Sequence, residues 1–145
     1  MWMSNNIEER ARLRAREIFM KAFIRALADL RVLTPGLVRV ASTAAVQSLM
    51  EAMGIEEKSK RKPLDALREL LSILGIDAEV LGNDEIHVSV KPPCPLSFCS
   101  ECRRLCPLPH LSAAYLSVTS ERRWSPRRFG KDFIEIDDRC RFRLV

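Results

Sequence analysis

Residues 94–106 read CPLSFCSECRRLC, and this segment holds four of the five cysteines in the chain, Cys94, Cys99, Cys102 and Cys106. The gap of two residues between Cys99 and Cys102 is the usual spacing of a thiolate knuckle, and the first three cysteines have the Cys-x4-Cys-x2-Cys spacing of plant-type two-iron proteins. Four thiols so close in sequence can bind one cation without ligands from distant parts of the chain. The segment therefore predicts a zinc ion or an iron–sulfur cluster, with disulfides or unliganded buried thiols as alternatives.

The fifth cysteine, Cys140, is predicted to point toward the core. It follows a turn at 137–139, and strand alternation puts it on the same face as Phe142 and Leu144, with arginines opposite. A buried thiolate at the start of a strand could join the cysteines of 94–106 as a ligand. The metal would then connect distant parts of the chain.

Around the cysteine segment the sequence predicts two β-hairpins and a helix. Apolar and polar residues alternate over 77–80 and again over 86–91, with the turn sequence Gly-Asn-Asp at 82–84 between them. Pro107 and Pro109 favour a helix start directly after the segment. The second hairpin runs from 134 to 144.

The first half of the chain predicts three helices. Apolar residues recur at steps of three and four from Ile7 to Leu30, and the stripe is broader than one small sheet needs. We therefore expect a homodimer, with Phe19, Phe23 and Leu27 near its interface. A second helix, rich in small residues, begins at Pro35 and stops at Gly54, and a leucine-rich third one covers 63–74.

The elements together predict one α+β domain, residues 1–145. Its N-terminal helices, with the long one at 7–33 as dimerisation element, precede an α+β core at 36–145, whose antiparallel sheet has two hairpins linked by the cysteine-rich loop and a helix. The composition, 47% apolar and 30% charged, is that of a globular protein. With no leader-like start and no long apolar run, we expect a cytoplasmic protein without a membrane partner.

A basic segment at 122–131 offers an alternative function. It contains two aromatic residues and five basic ones, Arg122, Arg123, Arg127, Arg128 and Lys131. Basic and aromatic groups in alternation are typical of nucleic-acid-binding surfaces. A solvated loop anchored by Trp124 explains the same residues equally well.

The order of elements, with Cys94-Pro95 after a hairpin, Cys106 before a helix and a final CRFRL at 140–144, resembles the 4-vinyl reductase domain over about 37–145. This domain is a hydrocarbon-binding type related to trafficking-particle subunits, and a similar cysteine skeleton occurs in the sensing half of some iron–sulfur repressors. The resemblance implies a homodimer through the N-terminal helices and a sensory or ligand-binding role. Cys94, Cys106 and Cys140 match the family's cysteines, whereas Cys99 and Cys102 are additions.

The function predicted from these observations is a non-enzymatic, metal-binding regulatory domain that takes a small hydrophobic ligand. Paired carboxylates, a Ser/His/Asp order, a phosphate-binding glycine loop and a His-Glu-x-x-His element are all missing from the sequence, which disfavours hydrolases and transferases. The alternatives are a nucleic-acid-binding transcriptional regulator that uses 122–131 and a redox protein that works through an iron–sulfur cluster.

Overall fold

The computed structural model describes residues 2–32, 34–54, 62–95, 106–120 and 122–145. The elements are α1 (Trp2–Asp29), α2 (Pro35–Met53), α3 (Pro63–Ile73), β1 (Ala78–Gly82), β2 (Ile86–Val90), α4 (Leu108–Thr119), β3 (Glu135–Ile136) and β4 (Cys140–Leu144). The α+β class predicted from the sequence is confirmed, because helices precede one antiparallel sheet. The chain divides into two compact units, Met1–Thr34 and Pro35–Val145.

The four strands form a sheet in the order β1-β2-β4-β3. Both predicted hairpins are present, and β2 pairs with β4 so that Val88 lies opposite Phe142. Alternation determines the buried face, since Val88 and Phe142 are buried while His87 and Arg141 are exposed. The period of two in the sequence is therefore enough to assign each side chain to a face.

The turn between β1 and β2 depends on a glycine. Gly82 has φ +120°, and a Cβ there would overlap the backbone carbonyl oxygen of Glu85. An L-residue with a side chain would be strained in this conformation even without the overlap. Gly82 is therefore required for the tight return of the chain into β2.

Two helices cover the buried face of the sheet. α3 contacts β1, α4 contacts β4, and the two helices contact each other. The core between them contains the fully buried side chains of Leu67, Leu70, Leu116 and Phe142. α3 ends where predicted, because Gly75 has φ +71° and the Ile76 amide donates to the Leu71 carbonyl as in a Schellman motif.

α2 packs against α4. Its buried residues repeat every four positions and are Val38, Ser42, Val46 and Met50. The alanines at 41, 44 and 45 are exposed within this chain. The apolar pattern thus predicts the helix, while a four-residue repeat containing one serine sets its buried face.

Unit Met1–Thr34 consists of α1 and its C-terminal cap. The predicted long helix is present, and it begins at Trp2 rather than near Ile7. It ends in a Schellman motif in which Val32 and Arg31 donate to the carbonyls of Leu27 and Ala28, with Arg31 at φ +57°. Among the described helices, none combines the length and apolar character needed to cross a bilayer.

Candidate functional site

Three of the five predicted thiolate ligands lie within the described part of the chain. Cys106 is buried in the main core, and Cys94 and Cys140 are half-buried against that same core. Cys99 and Cys102 lie outside the described residues. Cys140 is predicted to share a strand face with Phe142 and Leu144. In the structure Phe142 and Leu144 are buried and Cys140 is half-buried, which agrees with that prediction.

The register of the sheet relates Cys94 to Cys140. Val90, the last residue of β2, lies opposite Cys140, the first residue of β4. Cys94 follows Val90 by four residues, so the chain passes from β2 toward Cys94 at the end of the sheet where Cys140 begins its strand. Two cysteines separated by 46 positions in sequence thus belong to one end of the fold.

The third described cysteine lies at the start of α4. Cys106 precedes Pro107, the N-terminal cap residue, and α4 continues to Thr119. A thiol near a helix N-terminus is favoured as thiolate, because the free N–H groups there stabilise negative charge. Within the described ranges, however, no three Cys, His, Asp or Glu side chains are grouped closely enough to hold a metal ion.

The basic segment 122–131 is attached to the edge of the sheet. The amide and carbonyl of Ser125 exchange hydrogen bonds of 2.9 Å with Val145, and the Arg127 amide donates to the Arg143 carbonyl at 2.9 Å. Trp124 is buried, its amide donates to Ser117 Oγ at 2.8 Å and its Nε1 to Ser120 Oγ at 3.1 Å. The segment is therefore fixed between β4 and α4.

Three of the five basic side chains in this segment have partners among the described residues. Arg127 Nη1 lies 3.0 Å from Glu85 Oε1, Arg122 lies 4.0 Å above the Trp124 ring, and Arg128 lies 5.0 Å from the Phe133 ring. Arginines of the exposed sheet face are paired likewise, as Arg139 with Glu79 at 3.3 Å. The two ion pairs lower the net positive field that a nucleic acid would meet, whereas the ring contacts leave the charges of Arg122 and Arg128 in place.

A pocket of about 240 Å³ lies between α2, α4 and the basic segment. Arg39 of α2 and Arg123 line it, together with the hydroxyl groups of Thr43 and Ser117. The remaining wall is mainly apolar and includes Val46, Ala113, Ala114, Val118 and Trp124. No pattern in the sequence indicates this pocket, since its polar groups come from segments about 80 positions apart.

His110 of α4 also lines the pocket and is 5% exposed. Its ring meets the Phe133 ring edge-on, with 4.6 Å between centroids. Burial, and then the positive charges of Arg39 and Arg128, hold the pKa of His110 below its ordinary value. Arg39 and Arg123, which line the pocket with no carboxylate among the described residues beside them, place positive charge at its wall.

The predicted dimer residues lie on α1. Phe19 and Phe23 are 65% and 49% exposed within this chain, and their rings stack with centroids 5.9 Å apart. Leu27 is partly buried. Large apolar side chains left in water in this way are typical of surfaces that bind a protein partner.

Comparisons with known proteins found no similar family, sequence or structure. The chain matches no protein-family model, and no significantly similar curated protein or solved structure was found. Function must therefore be inferred from the residues and their arrangement.

Proposed function

We propose that the chain is a non-enzymatic regulatory domain in which cysteine thiolates bind a zinc ion or an iron–sulfur cluster. The proposal depends mainly on one observation, the sheet register that brings Cys140 to the end of the sheet from which the chain continues to Cys94. Cys106, buried at the start of α4, would supply a third thiol from the same core, although the three described cysteines are not grouped closely enough to hold a metal ion and would have to approach one another on binding. Cys99 or Cys102 would complete a set of four.

The chemistry of this donor set fits either group. Four thiolates in a closed tetrahedron form a structural zinc site, and four thiolates also hold iron–sulfur clusters. The bound group would connect β4 to the 94–106 segment and α4. Ligand binding or oxidation at this position would therefore alter elements on both sides of the core, which is what a sensor requires.

Two further parts of the proposal concern the partners. The resemblance to the 4-vinyl reductase domain and the exposed phenylalanines of α1 support a homodimer. The pocket between α2 and α4 supports a small-molecule ligand. A cytoplasmic location is part of the same proposal.

The test is metal analysis of the protein purified without oxygen. We expect one zinc per chain and no visible absorption, or iron and sulfide with the charge-transfer bands of a cluster. Removing the metal with a chelator should lower the thermal midpoint, because structural thiolate sites contribute about 10 kcal/mol of binding energy. A folded, metal-free protein whose midpoint does not respond to added zinc or to cluster reconstitution would contradict the proposal.

A further inference from the structure

We propose that the pocket between α2, α4 and the basic segment binds a small organic anion, a carboxylate or phosphate on a short apolar chain. The inference deepens the ligand-binding part of the proposed function, but it does not depend on the metal. It begins with the charges: Arg39 and Arg123 approach the pocket from different segments, and no carboxylate is among the described residues that line it. Two guanidinium groups and no acid form a site suited to an anion.

Both arginines are available to a ligand. Unlike Arg127, which pairs with Glu85, and Arg122, which covers Trp124, they make no ion pair within the described part of the chain. Two like charges at one pocket repel each other, and a bound anion would relieve that repulsion. Within the described residues, Arg39 and Arg123 thus lack the ion-pair or ring partner that Arg127 and Arg122 have.

The rest of the pocket determines what the anion must carry. Val46, Ala113, Ala114 and Val118 provide apolar surface beside the arginines, and Trp124 adds a ring. The hydroxyl of Thr43 donates to the Arg39 carbonyl at 3.0 Å, so this hydroxyl has no hydrogen left to donate to a ligand. A ligand with a charged head at the arginines and a short apolar tail along α4 would match this surface. The pocket volume of about 240 Å³ limits the ligand to a small molecule.

His110 provides an internal reporter of such binding. Positive charge from Arg39 and Arg128, together with burial, disfavours its imidazolium form. An anion at the pocket would offset part of that charge and raise the pKa of His110. The change would be visible in the pH titration of its ring signals by NMR, and His87, on the exposed sheet face, is the only other histidine in the chain.

The experiment compares four probes on the full, metal-loaded chain by calorimetry at low salt. Butyrate carries an apolar chain of three carbons, n-butyl phosphate and 1-butanol carry one of four, and inorganic phosphate has none. We expect butyrate and n-butyl phosphate to bind and 1-butanol to bind at least about 10-fold more weakly, since it lacks the charge. Whichever anion is tighter identifies the head group. Inorganic phosphate should also bind more weakly than n-butyl phosphate.

Four variants locate the site. Arg39→Gln and Arg123→Gln should each weaken anion binding about 10-fold or more. Thr43→Phe, at an exposed position of the pocket, should block binding without changing charge. Arg12→Gln is the matched control, because it removes the same charge from α1, outside the pocket, and should bind normally.

Three results would overturn the inference. The first is the absence of butyrate and n-butyl phosphate binding to folded protein with its metal in place. The second is binding that survives both arginine substitutions, and the third is 1-butanol binding as tightly as the anions. A metal-free but anion-binding protein would contradict the proposed function and leave this inference standing, so the two failures are distinguishable.

Discussion

At the scale of single residues, Gly36 and Gly82 differ in whether the backbone at that position could accept a side chain. Gly82 has φ +120° at a turn where a Cβ would meet the Glu85 carbonyl. Gly36 lies in the first turn of α2, and a Cβ there would meet nothing within 4 Å. The same chemical change should therefore have opposite effects at the two positions.

We expect Gly82→Ala to lower the free energy of unfolding by at least about 1–3 kcal/mol, because the strained backbone must be kept or the turn rebuilt. Gly36→Ala, the matched control, should raise it by about 0.5–1 kcal/mol, through helix propensity and a less flexible unfolded chain. Urea unfolding of both variants measures the difference. Equal effects of the two substitutions would contradict this description of the turn.

His110 gives the fold a pH dependence. Its pKa is lowered in the folded state, so between the folded pKa and about 6.5 the unfolded chain binds a proton that the folded chain does not. Stability therefore falls as the pH decreases from about 6.5 through the folded pKa, by at most about 1.4 kcal/mol per pH unit for this group. His110→Gln should reduce that slope, as measured by urea unfolding at several pH values, and His87→Gln controls for loss of an imidazole. A slope unchanged by His110→Gln would be evidence against this linkage.

At the scale of the elements, α4 is the centre of the unit Pro35–Val145. It contacts α2, α3 and β4, and Trp124 of the basic segment is held by Ser117 of this helix and by Ser120, its C-terminal cap residue. Ser117 Oγ donates to the Ala113 carbonyl at 2.8 Å and accepts from the Trp124 amide at 2.8 Å. Loss of this hydroxyl would leave a buried amide without its acceptor.

We expect Ser117→Ala to cost about 1–3 kcal/mol of stability, the usual penalty for an unsatisfied buried donor. Ser112→Ala on the same helix is the matched control. Ser112 Oγ is fully buried and makes no hydrogen bond within the described part of the chain, so its removal should be neutral or stabilising. Thermal unfolding of both variants, with Trp124 fluorescence as a local probe, tests the pair. A larger loss in Ser112→Ala would contradict the assignment.

How far the sequence predicts these elements depends on how local their signals are. The period-two alternation of 86–90 and the glycine at position 75 act within one element, so the hairpin and the end of α3 were predicted correctly. The pairing of 125–127 with 143–145 and the pocket of Arg39 and Arg123 arise from contacts between distant segments. No periodicity in either segment reports such a contact, and so both were missed.

For the whole molecule, the exposed apolar side chains of α1 lead to a prediction about assembly. We expect light scattering to give a dimer, twice the 16.6 kDa of the chain. Phe19→Asp with Phe23→Asp should shift it to the monomer, because two charges would be buried in an apolar interface. Arg14→Asp, nine residues before Phe23 and therefore exposed on the opposite side of α1, is the control and should leave the dimer intact. A monomer in the wild type at micromolar concentration would contradict the prediction.

The whole-molecule claim is that one thiolate site joins β4 to the 94–106 segment and α4. Its most direct test is the metal content and thermal stability of single Cys→Ser variants. The control is Val90→Thr, directly opposite Cys140, which replaces a methyl group with a hydroxyl and keeps every thiol. We expect Cys94→Ser, Cys106→Ser and Cys140→Ser to lose metal and much of a stabilisation of about 10 kcal/mol, and Val90→Thr to keep its metal. If Cys140→Ser keeps full metal occupancy and stability while Cys99→Ser and Cys102→Ser lose both, the site is confined to 94–106 and the claim is wrong.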